Sequence, residues 1–280
     1  MPGGPLKDDH GWVEPAALLA ELERGDLVAD APRLGGMARA DGVVIVSERF
    51  WAFAGVDGSL REGTMPRARR ALRAVPVVRG LARLAASLSP LFRRTGVARG
   101  RERLFLALTI VAPLLLVFAP DWVGLTVGFL TTGALLVWLL RGRTLFLHGA
   151  EHRAIAALEE RRLRETWAGA ARPSRFSLRC GTNFAALLMP VAVFGGHFWP
   201  LPATALTPLF ISVLALGLTM ELWLLVQGSR RLARIVLLPG LGLQRLTTRE
   251  PALDDTRVAL TALAAVLQRE LATAASGSPA

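Results

Sequence analysis

The hydrophobic and polar positions of this chain fall into long separate runs. Residues 104–140 and 183–226 contain almost no charged residues, and a polar or proline-rich turn divides each run in two. A helix needs about 20 mostly apolar residues to cross a bilayer. We therefore predict four transmembrane helices, arranged as one hairpin over 104–140 and a second over 183–226.

The remaining segments predict smaller elements outside the bilayer. Residues 1–65 combine a short helical pattern with alternating apolar segments, which predicts a cytosolic α/β element with a short β-hairpin. Residues 66–103 interleave Arg with Ala, Leu and Val, which is typical of amphipathic helices at a membrane surface. Residues 227–271 predict an interfacial segment and a C-terminal cytosolic helix, and 272–280 a disordered tail. The predicted fold class is therefore an all-α membrane protein with a small N-terminal α/β element.

The net charge of +11 bears on which partners the protein binds, not on its fold. In a soluble protein it would suggest nucleic acid, but Arg placed beside apolar spans fits membrane orientation and anionic headgroups. Positive charge flanks both hairpins on the same side. We expect a multi-pass protein of the plasma membrane with cytosolic termini, with the lipid bilayer as partner and no nucleic acid.

The densest chemistry lies in the sequence His148-Gly-Ala-Glu-His152, within a helix predicted in segment 141–182. Two of the four histidines of the chain fall here. Residues three and four apart share a helix face, so both imidazoles and the Glu151 carboxylate can meet. The spacing His-x-x-Glu-His is that of inverted zincins, in which two histidines bind zinc and the glutamate is the general base. The alternative is a polar helix with two solvated histidines.

Two distant residues are candidates to complete a metal site. Cys180 precedes the third predicted span, and Glu221 lies inside the fourth, where a carboxylate is costly and tends to face a partner or cavity. We expect His148, His152 and Glu221 to bind a divalent metal, zinc by default, with Cys180 as an additional or alternative ligand. The alternatives are a salt bridge from Glu221 to an Arg such as Arg179, and a packing role for Cys180.

Several blocks together resemble the YqhQ-like family of bacterial membrane proteins. The blocks are His148-Gly-Ala-Glu-His-Arg-Ala-Ile155, Arg179-Cys-Gly-Thr-Asn-Phe184, Glu221 and Pro239-Gly-Leu-Gly-Leu-Gln-Arg-Leu-Thr-Thr-Arg-Glu-Pro251. The family is a domain of unknown function in bacterial membrane proteins that is described as a metal-dependent enzyme, so the resemblance implies metal binding but no particular reaction or substrate. This chain departs from the family pattern: Ser177 stands where members carry a histidine, and the block after Gly35-Gly36 has changed.

These observations predict a metal-dependent membrane protein with one cytosol-facing site. If it is an enzyme, metal-assisted hydrolysis is expected, with Glu151 activating water. A second hypothesis is a non-enzymatic membrane scaffold or assembly factor, in which the polar cluster is structural. The sequence gives little support for a transporter, because it has a single carboxylate within the predicted spans and lacks a repeat of broken helices.

Overall fold

The computed structural model describes residues 6–8, 11–13, 15–66, 74–93, 96–115, 120–204 and 206–276. The chain forms two compact units, each assembled from separate segments. Unit 1 comprises Met1–Pro66, Arg141–Cys180 and Gln244–Ala280, and unit 2 comprises Arg67–Leu140 and Gly181–Leu243.

Unit 1 combines β-strands with helices. Its strands are β1 (Leu6–Asp8), β2 (Gly11–Val13), β3 (Gly35–Arg39), β4 (Gly42–Val46), β5 (Phe50–Gly55) and β6 (Leu60–Thr64). Its helices are α1 (Pro15–Leu27), α6 (Thr144–Glu159), α7 (Leu163–Ala168) and α12 (Leu253–Ala275). Strands β1 and β2 form a hairpin, and β3 to β6 form an antiparallel sheet in sequential order.

The centre of the sheet is apolar because β4 and β5 are rich in β-branched and aromatic residues. Val43 pairs with Ala54 and Ile45 pairs with Ala52, and all four side chains are buried in the core. The turn between β5 and β6 contains Gly58 at φ 84°, a backbone conformation that favours glycine. These features position β3, the strand beside β4, for its contact with α6.

Helix α12 is the core helix of unit 1. Every residue from 259 to 267 is buried, and the side chains of Leu260, Leu263 and Leu267 are 0% exposed. The helix packs on β4, β5 and α6. Its first turn is stabilised by Asp255, which accepts a hydrogen bond from the Ala252 N–H at 3.3 Å and pairs with Arg143. The apolar side chains of α12 are therefore buried by contacts with other parts of unit 1.

Unit 2 is helical in its described residues. It contains α2 (Pro76–Ser87), α3 (Ser89–Phe92), α4 (Gly100–Leu115), α5 (Asp121–Leu139), α8 (Gly181–His197), α9 (Thr207–Val226), α10 (Arg230–Val236) and the first residues of α11 (Leu238–Thr247).

Helices α2 and α9 cross at a pair of glycines. A Cβ atom at Gly80 would lie 2.2 Å from the Gly217 carbonyl oxygen, so only glycine permits this approach. Beside the crossing, the Arg79 Nε donates to Glu221 Oε1 at 2.9 Å. The ion pair places a counter-charge next to a carboxylate on a helix that is otherwise apolar.

The predicted all-α fold class with four transmembrane helices is wrong. Unit 1 contains a four-stranded antiparallel sheet, and two described helices, α9 and α12, are long and apolar enough to cross a membrane. Of these, α12 is 56% buried over its most apolar window, because it is the core helix of unit 1. The third predicted span corresponds to helix α8, which has 17 residues. At 1.5 Å per residue this helix is roughly 26 Å long, which is shorter than the bilayer core of about 30 Å.

Some predicted elements lie partly outside the described residues. They are residues 1–5, 9–10 and 14 of the N-terminal element, 67–73 and 94–95 of the Arg-rich segment, 116–119 of the first predicted span, 205 of the second hairpin and 277–280 of the tail. The sequence-based division into seven segments stays a prediction.

We expect Leu263→Ala to destabilise unit 1 by roughly 2–5 kcal/mol, because it opens a cavity where α12 meets the sheet. Thermal unfolding of the full chain in detergent would measure the effect. The matched control is Leu253→Ala on the same helix, since Leu253 is 39% exposed and should lose at most about 1 kcal/mol. Equal losses in both variants would contradict the assignment of α12 as the core helix.

Candidate metal site

Helix α6 presents His148 and His152 on one face, as the spacing predicts. The two rings lie edge to face with centroids 4.5 Å apart. Residues four apart on a helix lie one turn above each other, so the contact follows from the sequence spacing. His152 is buried and His148 is half-buried.

Backbone carbonyls fix the tautomer of both rings. His148 Nδ1 lies 2.8 Å from the Thr247 oxygen, and His152 Nδ1 lies 2.7 Å from the Arg175 oxygen. A carbonyl oxygen only accepts hydrogen bonds, so each Nδ1 carries the proton and donates it. Each Nε2 therefore keeps its lone pair, which is the arrangement that orients a histidine toward a metal.

Cys180 completes a compact group with the two histidines. Its Sγ lies 3.1 Å from His148 Nε2, and one ligand atom from each of the three residues lies within 4.8 Å of the others. His152 Nε2 is buried without a hydrogen-bond partner. A buried polar atom of this kind is uncommon and calls for a ligand or a water molecule.

Burial keeps both imidazoles neutral. It lowers the pKa of His152 to about 3, helped by the neighbouring His148, although the hydrogen bond to Arg175 opposes the shift. Burial likewise lowers the pKa of His148, with the Thr247 hydrogen bond opposing it. Neutral imidazole is the form that binds a metal, so both rings are in the ligand form at neutral pH.

Glycine and arginine hold the segments of the site together. A Cβ at Gly149 would lie 2.2 Å from the Arg249 carbonyl oxygen, so α6 and the segment after α11 come into backbone contact there. The buried Arg153 donates from Nε to the Pro173 oxygen at 3.1 Å and pairs with Glu250 at 2.6 Å. These contacts connect α6 to both other segments that supply the site.

Glu151 occupies a different side of α6. Its carboxyl accepts a hydrogen bond from the Ala38 N–H of β3, and a Cβ at Gly36 would lie 2.8 Å from its Oε1. Burial raises the pKa of Glu151 to about 8. The carboxyl is therefore mostly neutral at pH 7 and packs against the sheet. The predicted role of Glu151 as general base stays a prediction.

Glu221, the fourth predicted ligand, belongs to unit 2, where it forms the ion pair with Arg79 described above. Arg179, the partner suggested from the sequence, pairs with Glu159 at 3.0 Å. The group of potential ligands found among the described residues contains His148, His152 and Cys180.

The donor set fits a divalent transition metal. Zinc binds imidazole nitrogen at about 2.0 Å and thiolate sulfur at about 2.3 Å, so two ligand atoms of one tetrahedral ion lie roughly 3.3–3.5 Å apart. The three atoms here lie within 4.8 Å of one another, and side-chain shifts of up to about 1.5 Å would bring them into that range.

Sequence reasoning did not find the residues that support the ligands. The carbonyls of Thr247 and Arg175 leave no mark in a sequence, because any residue supplies a carbonyl. Gly149 carries a signal in retrospect, since a glycine inside a helix is unfavourable unless a close approach requires it. Gln244 and its contact with Ser177 were also missed.

The fold and site define a class: an α/β unit with a largely buried His/His/Cys group, joined in one chain to an apolar helical unit. Residues 134–269 match the family model described as "Protein of unknown function (DUF1385)". The uncharacterized protein YqhQ of Bacillus subtilis (strain 168) is 32% identical over 133 residues, which are 44% of this chain and 40% of that protein. No solved structure matches.

These matches support a likeness of this chain to a YqhQ-like family of uncharacterised proteins, from which the chain diverges. The resemblance noted from the sequence motifs is thereby confirmed. The alignment spans less than half of the Bacillus protein. Neither match names a metal, a substrate or a reaction.

We expect Glu151→Gln to change how stability depends on pH. The pKa of Glu151 in the folded chain, about 8, lies above its ordinary value of 4.5, so stability from the neutral carboxyl is present below pH 4.5 and is lost as pH rises through 8. A neutral glutamine avoids this loss. At pH 9 the variant should be more stable than the wild type, by at most about 5 kcal/mol.

Melting temperatures of the detergent-solubilised chain, measured with chelator from pH 4 to 9, would show the difference. Glu48→Gln, at an exposed position, is the control and should follow the wild type. Parallel curves for Glu151→Gln and the wild type would show that the carboxyl is not held neutral.

Proposed function

We propose that this protein binds one divalent transition-metal ion, zinc first, through His148, His152 and Cys180. The observation that carries the proposal is the His152 Nε2 atom, which is buried, keeps its lone pair and has no hydrogen-bond partner. It lies in a group with His148 Nε2 and the Cys180 sulfur. A soft thiolate with two imidazoles suits zinc better than magnesium or calcium, which prefer oxygen ligands.

Three protein ligands support an enzyme rather than a purely structural metal site. Structural zinc sites have four protein ligands, whereas catalytic sites have three and leave one position open. A zinc ion held here would supply Lewis-acid chemistry of the kind used in hydrolysis. His148, His152 and Cys180 would hold the ion, and the carbonyls of Thr247 and Arg175 would orient the two rings. Metal-assisted hydrolysis is the reaction class we favour.

A non-enzymatic scaffold is the second candidate, and one observation favours it. The cluster joins α6, the irregular segment 171–180 and the end of α11, which are far apart in sequence. A metal that cross-links three segments stabilises a fold without catalysis. Binding of an external ligand such as azide to the cobalt-substituted protein would favour the enzyme, and its absence the scaffold.

We also propose that unit 2 associates with the bacterial inner membrane. Helix α9 has 20 residues and a mean hydropathy of 2.2, with 28% of its most apolar window buried by protein. Among described residues, the large hydrophobic side chains exposed outside unit 2 are Leu27, Val56, Phe146, Phe176, Leu246 and Leu253; the many others belong to unit 2. Apolar exposure on this scale fits a lipid environment.

Basic residues support a topology for this proposal. Arg141 and Arg143 follow the first apolar run, and Arg230, Arg231 and Arg234 follow the second. Positively charged residues that flank an apolar span favour the cytosolic side of the membrane. Unit 1, with both termini of the chain, would then lie in the cytosol.

We expect the full chain, purified in detergent, to contain metal in equimolar amount, because both imidazoles keep the Nε2 lone pair and lie beside the Cys180 sulfur. His152→Ala and Cys180→Ser should each weaken zinc binding by more than the roughly 10–100-fold typical of an outer-shell residue. Elemental analysis and chelator competition would measure this. His197→Ala, at an exposed histidine of unit 2, is the matched control; equal loss in it, or a metal-free wild type, would refute the site.

We expect the chain to sediment with membranes after alkaline carbonate extraction and to be released by detergent. Leu225→Glu should reduce the membrane fraction, because Leu225 is 72% exposed on α9 and a charge there opposes insertion. Leu27→Glu, at a residue 78% exposed in unit 1, should leave fractionation unchanged. Recovery of the wild type in the carbonate supernatant would contradict the proposal.

A further inference from the structure

The Cys180 ligand lies at the end of a segment without regular secondary structure. Residues 171–180 contain no helix or strand, whereas both histidines lie on α6. A metal ligand must be held to about half an ångström, and irregular segments give less precision than helices. Something must therefore fix this segment if Cys180 is to meet the two imidazoles.

The side chain of Gln244 makes that contact. It is fully buried, and its amide bonds both backbone groups of Ser177, three residues before Cys180. Gln244 Oε1 accepts from the Ser177 N–H at 2.9 Å, and Nε2 donates to the Ser177 oxygen at 2.7 Å. One side chain thus supplies the pair of hydrogen bonds that a neighbouring strand would give.

The same turn of α11 also orients His148. Thr247 lies three residues after Gln244, so the two positions share a face of the helix. The Thr247 carbonyl lies in the last turn, where carbonyls lack helical partners, and it accepts from His148 Nδ1 at 2.8 Å. The end of α11 therefore contacts both the ring of one ligand and the segment of another.

We propose that Gln244 is the positioning residue of the metal site, which sets the Cys180 sulfur against the Nε2 atoms of His148 and His152. This inference rests on the proposed metal binding. To bond both backbone groups of Ser177, the side chain at position 244 must have the length of glutamine and carry one hydrogen-bond donor and one acceptor. Methionine keeps the length without hydrogen bonds, and glutamate keeps the acceptor but loses the donor to the Ser177 oxygen.

The test uses the full chain in detergent with cobalt(II), which reports thiolate coordination as a charge-transfer band. In Gln244→Met we expect cobalt affinity to fall roughly 10–100-fold, as for other residues that orient ligands. The thiolate band should weaken relative to the cobalt d–d bands, since the sulfur is the ligand that moves. Gln268→Met, at the exposed glutamine of α12, should match the wild type.

A second control separates positioning from stability. Thr248 is buried beside Gln244, and its hydroxyl donates to the Gln244 carbonyl oxygen at 2.6 Å, so Thr248→Val perturbs the same helix end without touching Ser177. It should keep the wild-type affinity and band even if the apo protein melts lower. If Gln244→Met does not fold, Gln244→Glu is measured in its place, with an expected loss of roughly tenfold.

Each outcome decides the inference. Wild-type affinity and band intensity in the Gln244 variants would overturn it and leave the metal site standing. A loss in Thr248→Val as large as in Gln244→Met would assign the effect to helix stability and also overturn it. A wild-type chain that binds no cobalt would overturn the proposed function itself.

Discussion

The backbone contact at Gly149 is the constraint on which the site depends. At this point α6 lies so close to the Arg249 carbonyl that no side chain fits between them. The Arg249 N–H donates to the Leu145 oxygen at 2.9 Å, which fixes the register of the two segments. Because of this approach, the Thr247 carbonyl reaches the His148 ring. A larger residue at 149 would separate the helix from the segment that orients its first ligand.

The two acidic residues predicted for the site have partners elsewhere in the structure. Glu151 faces β3 from a side of α6 that its neighbours at 148 and 152 do not share, and it bonds the Ala38 N–H. Glu221 pairs with Arg79 in unit 2. In both cases a nearby donor stabilises a carboxyl that would otherwise be isolated in apolar surroundings. An acid in an apolar segment thus signals a partner, but its identity is set by tertiary structure.

The sequence predicted those parts of the molecule that follow from local periodicity. Spacing alone placed His148 and His152 on one helix face. Alternation predicted a short β-hairpin within residues 1–65, and the structure contains one there, formed by β4 and β5. Four transmembrane helices could not be inferred safely, because a helix buried by protein and one buried by lipid have similar compositions. Helix α12 illustrates this, since it is long and apolar enough to cross a membrane, yet it forms the core of unit 1.

The contacts between distant segments were beyond sequence reasoning for a physical reason. Gln244 positions Cys180 beside the two histidines. Its side-chain amide forms hydrogen bonds with main-chain atoms, which every residue carries. Ser177, where the resemblance noted from the sequence implies histidine, contributes its backbone to that contact. A histidine there could have offered a fourth ligand three residues from Cys180. With serine, His148, His152 and Cys180 are the three potential protein ligands grouped in the described chain, and a tetrahedral ion held by them would keep one position for an outside molecule.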